Sequence, residues 1–206
     1  MTSKVSIVAL AASPEKGMNS DTLLEAFLEG IKEVLPMADV DKYYTMDLVL
    51  APYCHECSNE PQKDEKVFSE LVQKLQKAQG VVVGTPTYNF NVPSGLKNLI
   101  DRIGFMSLDY RKKNILGQPP GKLGHLKTYF IVSGGTPSSI HRFIFFLYPG
   151  FWLRVAFTYY YAKHGGSFYG GGLTFRNQAK DQPKLLKKMK NKGRRYGKKL
   201  KARSER

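Results

Sequence analysis

Cysteine is scarce in this chain, and acid is short against base. Two cysteines among 206 residues cannot make a disulfide framework, and their scarcity points to a reducing compartment, the cytoplasm. Two thiolates also fall short of the four that a [4Fe–4S] cluster takes. No apolar run is long enough to cross a bilayer; the nearest stretch, 140–162, is broken by His141, Arg142, Arg154 and the Pro149-Gly150 pair. The run Val5–Ala12 is short and opens a strand pattern, so no secretory signal is expected. No internal repeat is found, and the length suits one domain with a real core.

Acid is outnumbered by base, 17 Asp and Glu against 32 Lys and Arg, for a net charge of +15. The excess is local. Lys180–Arg206 holds thirteen basic and two acidic residues, a net +11, which leaves +4 for the 179 residues before it. The division expected is therefore a body over 1–180 and a basic helix or tail over 181–206. Any polyanion binding belongs to the tail, and no specific nucleic-acid partner is expected.

Apolar runs and helical spacings alternate along the body. Strands are expected over Lys4–Ala11, Asp39–Met46 (nearer a sheet edge), Val81–Thr85, Thr128–Ser133 and Ser167–Phe175. Between them, Leu23, Leu24, Phe27, Leu28, Ile31, Val34 and Leu35 recur at helical spacing, as do Val67, Phe68, Leu71, Val72, Leu75 and Ala78, with Gly80 read as the helix stop. A third helix is expected over Ser94–Ile103. The aromatic segment Ser138–Lys163 is expected to be helical with a break at Pro149-Gly150. A last helix over Pro183–Lys201 carries Leu185, Met189, Tyr196 and Leu200 as its stripe, although Gly193 and Gly197 weaken its propensity. Such alternation predicts an α/β fold with a five-stranded parallel sheet in the order 2-1-3-4-5.

Three loops at the ends of strands could carry chemistry. Ala12–Thr22 brings hydroxyls, an amide and free N–H groups to a helix start, which suits an anion; it equally suits a helix cap from Asn19 or Ser20. It is neither a P-loop nor G-x-G-x-x-G. The second loop has Pro86 and Pro93 stiffening Thr87, Tyr88, Asn89 and Phe90 before the third helix. Lys97 and Asp101 in that helix read as capping, pairing or packing residues and not as chemistry. In the third, Ser133–Pro137, Gly134 and Gly135 either let backbone N–H groups approach a flat ligand or serve a tight turn.

The spacing P-x-Y-N-x-x-x-P-x-x-L-K-N-x-x-D, read on Pro86, Tyr88, Asn89, Pro93, Leu96, Lys97, Asn98 and Asp101, resembles the flavin-contacting segment of the NADPH-dependent FMN reductases, a flavodoxin-like family. The first loop is similar to the phosphate loop of that family and of the related iron–sulfur flavoproteins, except that Glu15 stands where a basic residue is common, with Lys16 as the candidate replacement. The resemblance covers about the first 135 residues. It implies a flavodoxin-like three-layer sandwich. It implies FMN held through its phosphate by Ser13, Asn19, Ser20 and Thr22, and through its ring by Pro86, Thr87, Tyr88, Asn89 and Phe90 beside Gly134 and Gly135. It implies NAD(P)H as hydride donor and a quinone, azo compound, flavin or similar small molecule as acceptor, with no catalytic side chain and no metal ligand. Homodimers or tetramers are usual in the family. Cys54-His55-Glu56-Cys57 sits where the iron–sulfur relatives carry a cysteine cluster, and a structural remnant or pocket lining is the reading adopted for it.

The aromatic residues from Phe143 to Tyr161 are divided between core packing and a partner interface, with peripheral membrane contact third. Two readings of other classes stand beside the reductase. One is a flavodoxin-like electron carrier without NAD(P)H activity. The other is a flavin-free module that uses its tail on membranes or polyanions.

Overall fold

The computed structural model describes residues 4–54 and 61–204. Strands β1 (Ser6–Ala11), β2 (Asp39–Tyr44), β3 (Gly80–Pro86), β4 (Lys127–Ser133) and β5 (Lys163–Gly170) form one parallel sheet in the order β2-β1-β3-β4-β5. The expected fold and strand order are therefore observed. The helices among the described residues are α1 (Asn19–Val34), α2 (Lys66–Lys77), α3 (Ser94–Met106), α4 (Ser138–His141), α5 (Pro149–Tyr159) and α6 (Pro183–Ser204).

Both faces of the sheet are covered, which is why its central strands are apolar throughout rather than alternating. Successive side chains still go to opposite sides. Val8, Leu10, Val81, Val83 and Phe130 pack against α2, α3 and α5 through Phe68, Leu71, Leu99, Ile103, Leu153 and Phe157. Ile7, Ala9, Val82, Tyr129 and Ile131 pack against α1 and α6 through Leu24, Phe27, Ile31, Met189, Tyr196 and Leu200. The stripe expected on α6 is thus the inner face of a covering helix. Tyr196 is fully buried and donates its hydroxyl proton to the Lys127 carbonyl at 2.5 Å.

Of the two glycines that weaken α6, Gly193 has a packing cause. A Cβ on Gly193 would lie 2.0 Å from the Phe27 carbonyl oxygen, and one on Gly30 would lie 2.0 Å from that of Lys190. The α1 and α6 backbones touch there, and only glycine leaves room. The solvent side of this crossing carries Lys190 and Arg194 paired with Glu33, and Lys190 also with Glu29.

Two expected boundaries are corrected. Gly80 does not stop α2; it opens β3, where Tyr196 and Leu200 crowd the space a side chain would fill. The fifth strand begins at Lys163 and ends at Gly170, instead of running over 167–175. Its first half, Lys163-His164-Gly165-Gly166, has no apolar signal, because a Cβ on Gly165 would strike the Thr128 carbonyl 2.6 Å away. The aromatic segment is broken at Pro149 as expected, and that proline begins α5. Its residues divide: Tyr148, Phe157 and Tyr160 are core, whereas Phe143, Phe145, Phe146 and Phe151 are exposed.

One buried ion pair fastens α3 to the segment before α2. Arg102 makes two 2.6 Å hydrogen bonds to Glu65, which also accepts the N–H groups of Ala51 and Gln62. Burial raises the Glu65 pKa, but the Arg102 and backbone hydrogen bonds outweigh it and hold the carboxyl at about 2, against an ordinary 4.5. A carboxyl depressed in the folded state stabilises fully above its unfolded pKa and loses that contribution as pH falls through the folded one. Glu65 should therefore cost the fold about 3 kcal/mol of stability between roughly pH 4.5 and pH 2. Urea unfolding across that range checks this, with Glu65→Gln expected to show a shallower acid loss.

Candidate functional site

The strand order reverses between β1 and β3, and ligands of open α/β sheets bind beyond the strand C-termini at such a point. A cleft of about 290 Å³ lies there. Ser13, Met18, Asn19 and Ser20 line it from the β1–α1 loop, Pro86, Thr87 and Tyr88 from the end of β3, and Ser133, Gly134 and Gly135 from the end of β4. The three loops singled out in the sequence thus meet in one place.

The start of α1 is open. No side chain caps it, and the N–H groups of Asn19, Ser20 and Asp21 have no acceptor among the described residues. This decides against the capping alternative. The Ser20 hydroxyl is buried without a partner, and so is that of Thr87 across the cleft. Ser13 is buried and accepts the Glu15 N–H at 3.3 Å, which leaves its own proton to donate. Asp21, in the same first turn, is turned away and neutralised: it accepts the Gly17 N–H at 2.7 Å and the Lys42 ammonium at 2.5 Å. Burial lowers the Lys42 pKa, but hydrogen bonds to Asp21, Glu25 and Tyr44 raise it further, so Lys42 stays charged. The positive end of α1 therefore faces the cleft with the carboxylate of its own first turn compensated by Lys42.

Several expected residues stand elsewhere or are already engaged. Asn19 lines the cleft, but its amide is spent: Nδ2 donates to the Phe175 carbonyl and Oδ1 accepts the Ala179 N–H, both at 2.8 Å. Thr22 does not line it. Two residues beyond Ser20 on a helix is more than half a turn away, and its hydroxyl donates to the Gly17 carbonyl at 3.3 Å. Asn89 and Phe90 form the tip of a two-residue turn between Tyr88 and Asn91, both with positive φ, 48° and 64°, and do not line the cleft. The Tyr88 and Asn91 N–H groups close that turn and the Thr87 N–H goes to Ser133. Of the N–H donors over 87–91, only those of Asn89 and Phe90 stay unpartnered among the described residues. A phenylalanine at such φ is strained, and its ring is braced edge-on against Tyr148 at 5.7 Å. Gly134 and Gly135 do line the cleft, at ordinary φ; the Tyr169 hydroxyl, 2.6 Å from where a Gly134 Cβ would be, is what demands glycine there.

Lys16 does not replace the missing cation, because it pairs with Asp47 at 2.7 Å outside the cleft. Lys97 and Asp101 pair with each other at 2.6 Å, one of the roles expected of them. The cleft wall that the sequence did not disclose is Leu173–Arg176, after β5. The Gly170-Gly171-Gly172 run marks that loop, but a strand drawn through 175 concealed it. Among the described residues no group of three or more His, Cys, Asp or Glu is placed to hold a metal. The Cys54-His55-Glu56-Cys57 reading falls mostly outside those residues.

A solved azoreductase from Bacillus anthracis superposes with a TM-score of 0.72 over 95% of this chain and 99% of its own, at 18% identity, a likeness of fold. An FMN-dependent NADH:quinone oxidoreductase from Erythrobacter litoralis is 35% identical over 104 residues, 50% of each chain. An iron–sulfur flavoprotein from Archaeoglobus fulgidus is 30% identical over 114 residues, 55% of this chain and 56% of that one. The chain thus spans about half the length of these curated relatives. The model of the NADPH-dependent FMN reductase family matches residues 5–145, more than half of the sequence and the three loops singled out in it, and the chain belongs to that family.

Proposed function

We propose that this chain holds FMN in the cleft and passes electrons from NAD(P)H to a small-molecule acceptor such as a quinone, an azo compound or a free flavin. The observation that carries the reading is the pair of buried, unpartnered hydroxyls, Ser20 and Thr87, on opposite sides of a cleft that also faces an uncapped helix start. An unsatisfied buried polar group costs about 1–3 kcal/mol. A phosphate ester at one end and the polar edge of a flat ring at the other answer both.

Ser13, Ser20 and the open N–H groups of α1 would hold the phosphate, as helix starts do for anions. Pro86, Thr87, Tyr88 and the Gly134-Gly135 backbone would hold the ring, with the Asn89 and Phe90 N–H groups as nearby donors. Asn19 supports the site by fixing the 175–179 loop. Bound FMN supplies hydride acceptance and electron storage, for which protein side chains have no equivalent. The chain supplies binding, orientation and fixed dipoles, and no side chain is assigned a proton-transfer role. The names of the relatives, an NADH:quinone oxidoreductase that depends on FMN and a flavoprotein, support the cofactor, the donor and a quinone-type acceptor. Use of NAD(P)H fits a cytoplasmic location. We also infer a homodimer or tetramer whose subunits meet through the exposed Phe143, Phe145, Phe146 and Phe151; light scattering on Phe145→Glu should read a smaller particle.

An absorbance spectrum tests the central reading. Protein incubated with FMN and desalted should keep flavin bands, and NADPH added without oxygen should bleach them. Bands that survive NADPH and NADH alike would mark an electron carrier instead, and loss of flavin on desalting would remove the site assignment. Ser20→Ala separates ligand from fold. It should weaken FMN about tenfold, the worth of one charge-assisted hydrogen bond, yet leave thermal stability equal or higher, because an orphan hydroxyl is gone.

A further inference from the structure

Among the residues that line the cleft, Arg176 is the one cation and Glu15 the one anion, and they are paired with each other across its mouth. The pair joins the loop that opens α1 to the loop after β5. The two ends of this link differ in freedom. The backbone around Arg176 is fixed by the Asn19 amide, which holds Phe175 and Ala179, and by the Phe175 N–H donating to the Gln178 side chain at 3.2 Å. The Arg176 side chain itself is 73% exposed and can move without disturbing that frame.

We propose that Arg176 is the phosphate-recognising cation of this cleft, and that Glu15 holds it only until a phosphomonoester takes its place. The inference rests on the flavin reading above and specifies which flavin the site selects. An exposed arginine–carboxylate pair is worth little. A guanidinium on a dianionic phosphate makes two parallel charge-assisted hydrogen bonds, and here it would do so beside the start of α1, whose open N–H groups already attract the anion. The exchange therefore runs toward the phosphate. It leaves the Glu15 carboxylate close to a like charge, which weakens retention of the ligand. Position 15 thus sets how readily the flavin leaves, and position 176 sets whether its phosphate is read at all. Lys16, turned to Asp47 at 2.7 Å, takes no part.

Calorimetric titration of FMN and of riboflavin, which lacks the phosphate, onto the full chain tests this. Arg176→Gln should weaken FMN about tenfold and leave riboflavin within about twofold. Arg176→Lys should recover part of the loss, since it keeps the charge and gives up the planar fork. Glu15→Gln should tighten FMN several-fold, leave riboflavin unchanged, and show its gain shrinking in added salt. Equal weakening of both flavins by Arg176→Gln, with unchanged circular dichroism, would show a role in shaping the cleft and overturn the proposal. No effect on either flavin would overturn it as well. If the unmodified chain binds riboflavin and FMN equally, the phosphate role fails while the flavin site stands. If it binds neither, the flavin reading fails first and this one with it.

Discussion

Replacing Arg102 by methionine should cost the fold about 3–5 kcal/mol, because it leaves the Glu65 carboxylate buried without its counter-charge. Arg102 and Glu65 are both essentially closed to solvent, and the arginine also donates to the Ala51 carbonyl at 3.0 Å while lying over the Phe68 ring. The segment between β2 and α2 is therefore tied to α3 through this guanidinium and through the Asn98 amide, which donates to the Ala51 carbonyl at 3.2 Å and accepts the Tyr53 N–H at 3.1 Å. Glu65→Gln should also be costly, since Oε1 accepts the Ala51 N–H and Oε2 the Gln62 N–H, and an amide keeps one acceptor oxygen and sets its NH2 against donors. Converting the pair together to Met and Leu should recover much of the loss, as buried ion pairs exchanged for apolar groups of like volume often do. Urea midpoints at pH 7 for the single and double variants read the coupling directly. A cost below about 1 kcal/mol for Arg102→Met would show that the carboxylate finds water or another cation, and the clasp described above would be wrong.

Gly193→Ala sets two effects of opposite sign against each other. Alanine in a helix interior is favoured over glycine by about 1 kcal/mol, so propensity alone would make the variant more stable. The new methyl would meet the Phe27 carbonyl carbon at 2.9 Å and its oxygen at 2.0 Å, and backbone cannot swing aside as a side chain does. Overpacking of this kind costs about 1–3 kcal/mol and occasionally more. We expect the clash to win by about 2 kcal/mol or more, with faster amide hydrogen exchange along α6 and the α1 face beneath it. A higher melting temperature would mean that α6 rides farther from α1 than described. Gly197, whose added Cβ would sit no closer than 3.5 Å to any atom of α1, is the control and should tolerate alanine.

The sheet was legible because its central strands have to be apolar on both faces, and Val81-Val82-Val83 or Tyr129–Val132 admit few other readings. The cleft was legible to the extent that it is built from strand ends, where proline, glycine and hydroxyl residues punctuate the pattern. What stayed hidden depends on partners distant in sequence. β5, which opens at Lys163, has glycine at 165 because β4 and Tyr196 leave no room beside it, a fact of neighbours and not of periodicity. Gly193 reads as a weak helix position and is a contact point, facing Gly30 of α1. Asn19 matches a phosphate-loop pattern, yet its amide is committed to residues about 160 positions away. Thr22 matches the same pattern and points elsewhere because helical rotation, not spacing along the chain, decides which hydroxyl meets the cleft. Arg176 carries no motif; only the closure of the last loop over the first reveals it.

The family match ends at residue 145, before β5, the 173–176 wall and α6. One side of the cleft and its solvent-facing cation thus belong to a stretch that begins with a glycine-lined edge strand and ends with a helix seated on α1. Such a stretch is a cassette. Transplanting residues 163–204 between relatives would exchange a whole wall of the cleft at once, loop and charge together. The host has to offer the cassette an asparagine at 19 to pin its loop, a glycine at 30 to seat its helix and a glycine at 80 beneath Tyr196 and Leu200.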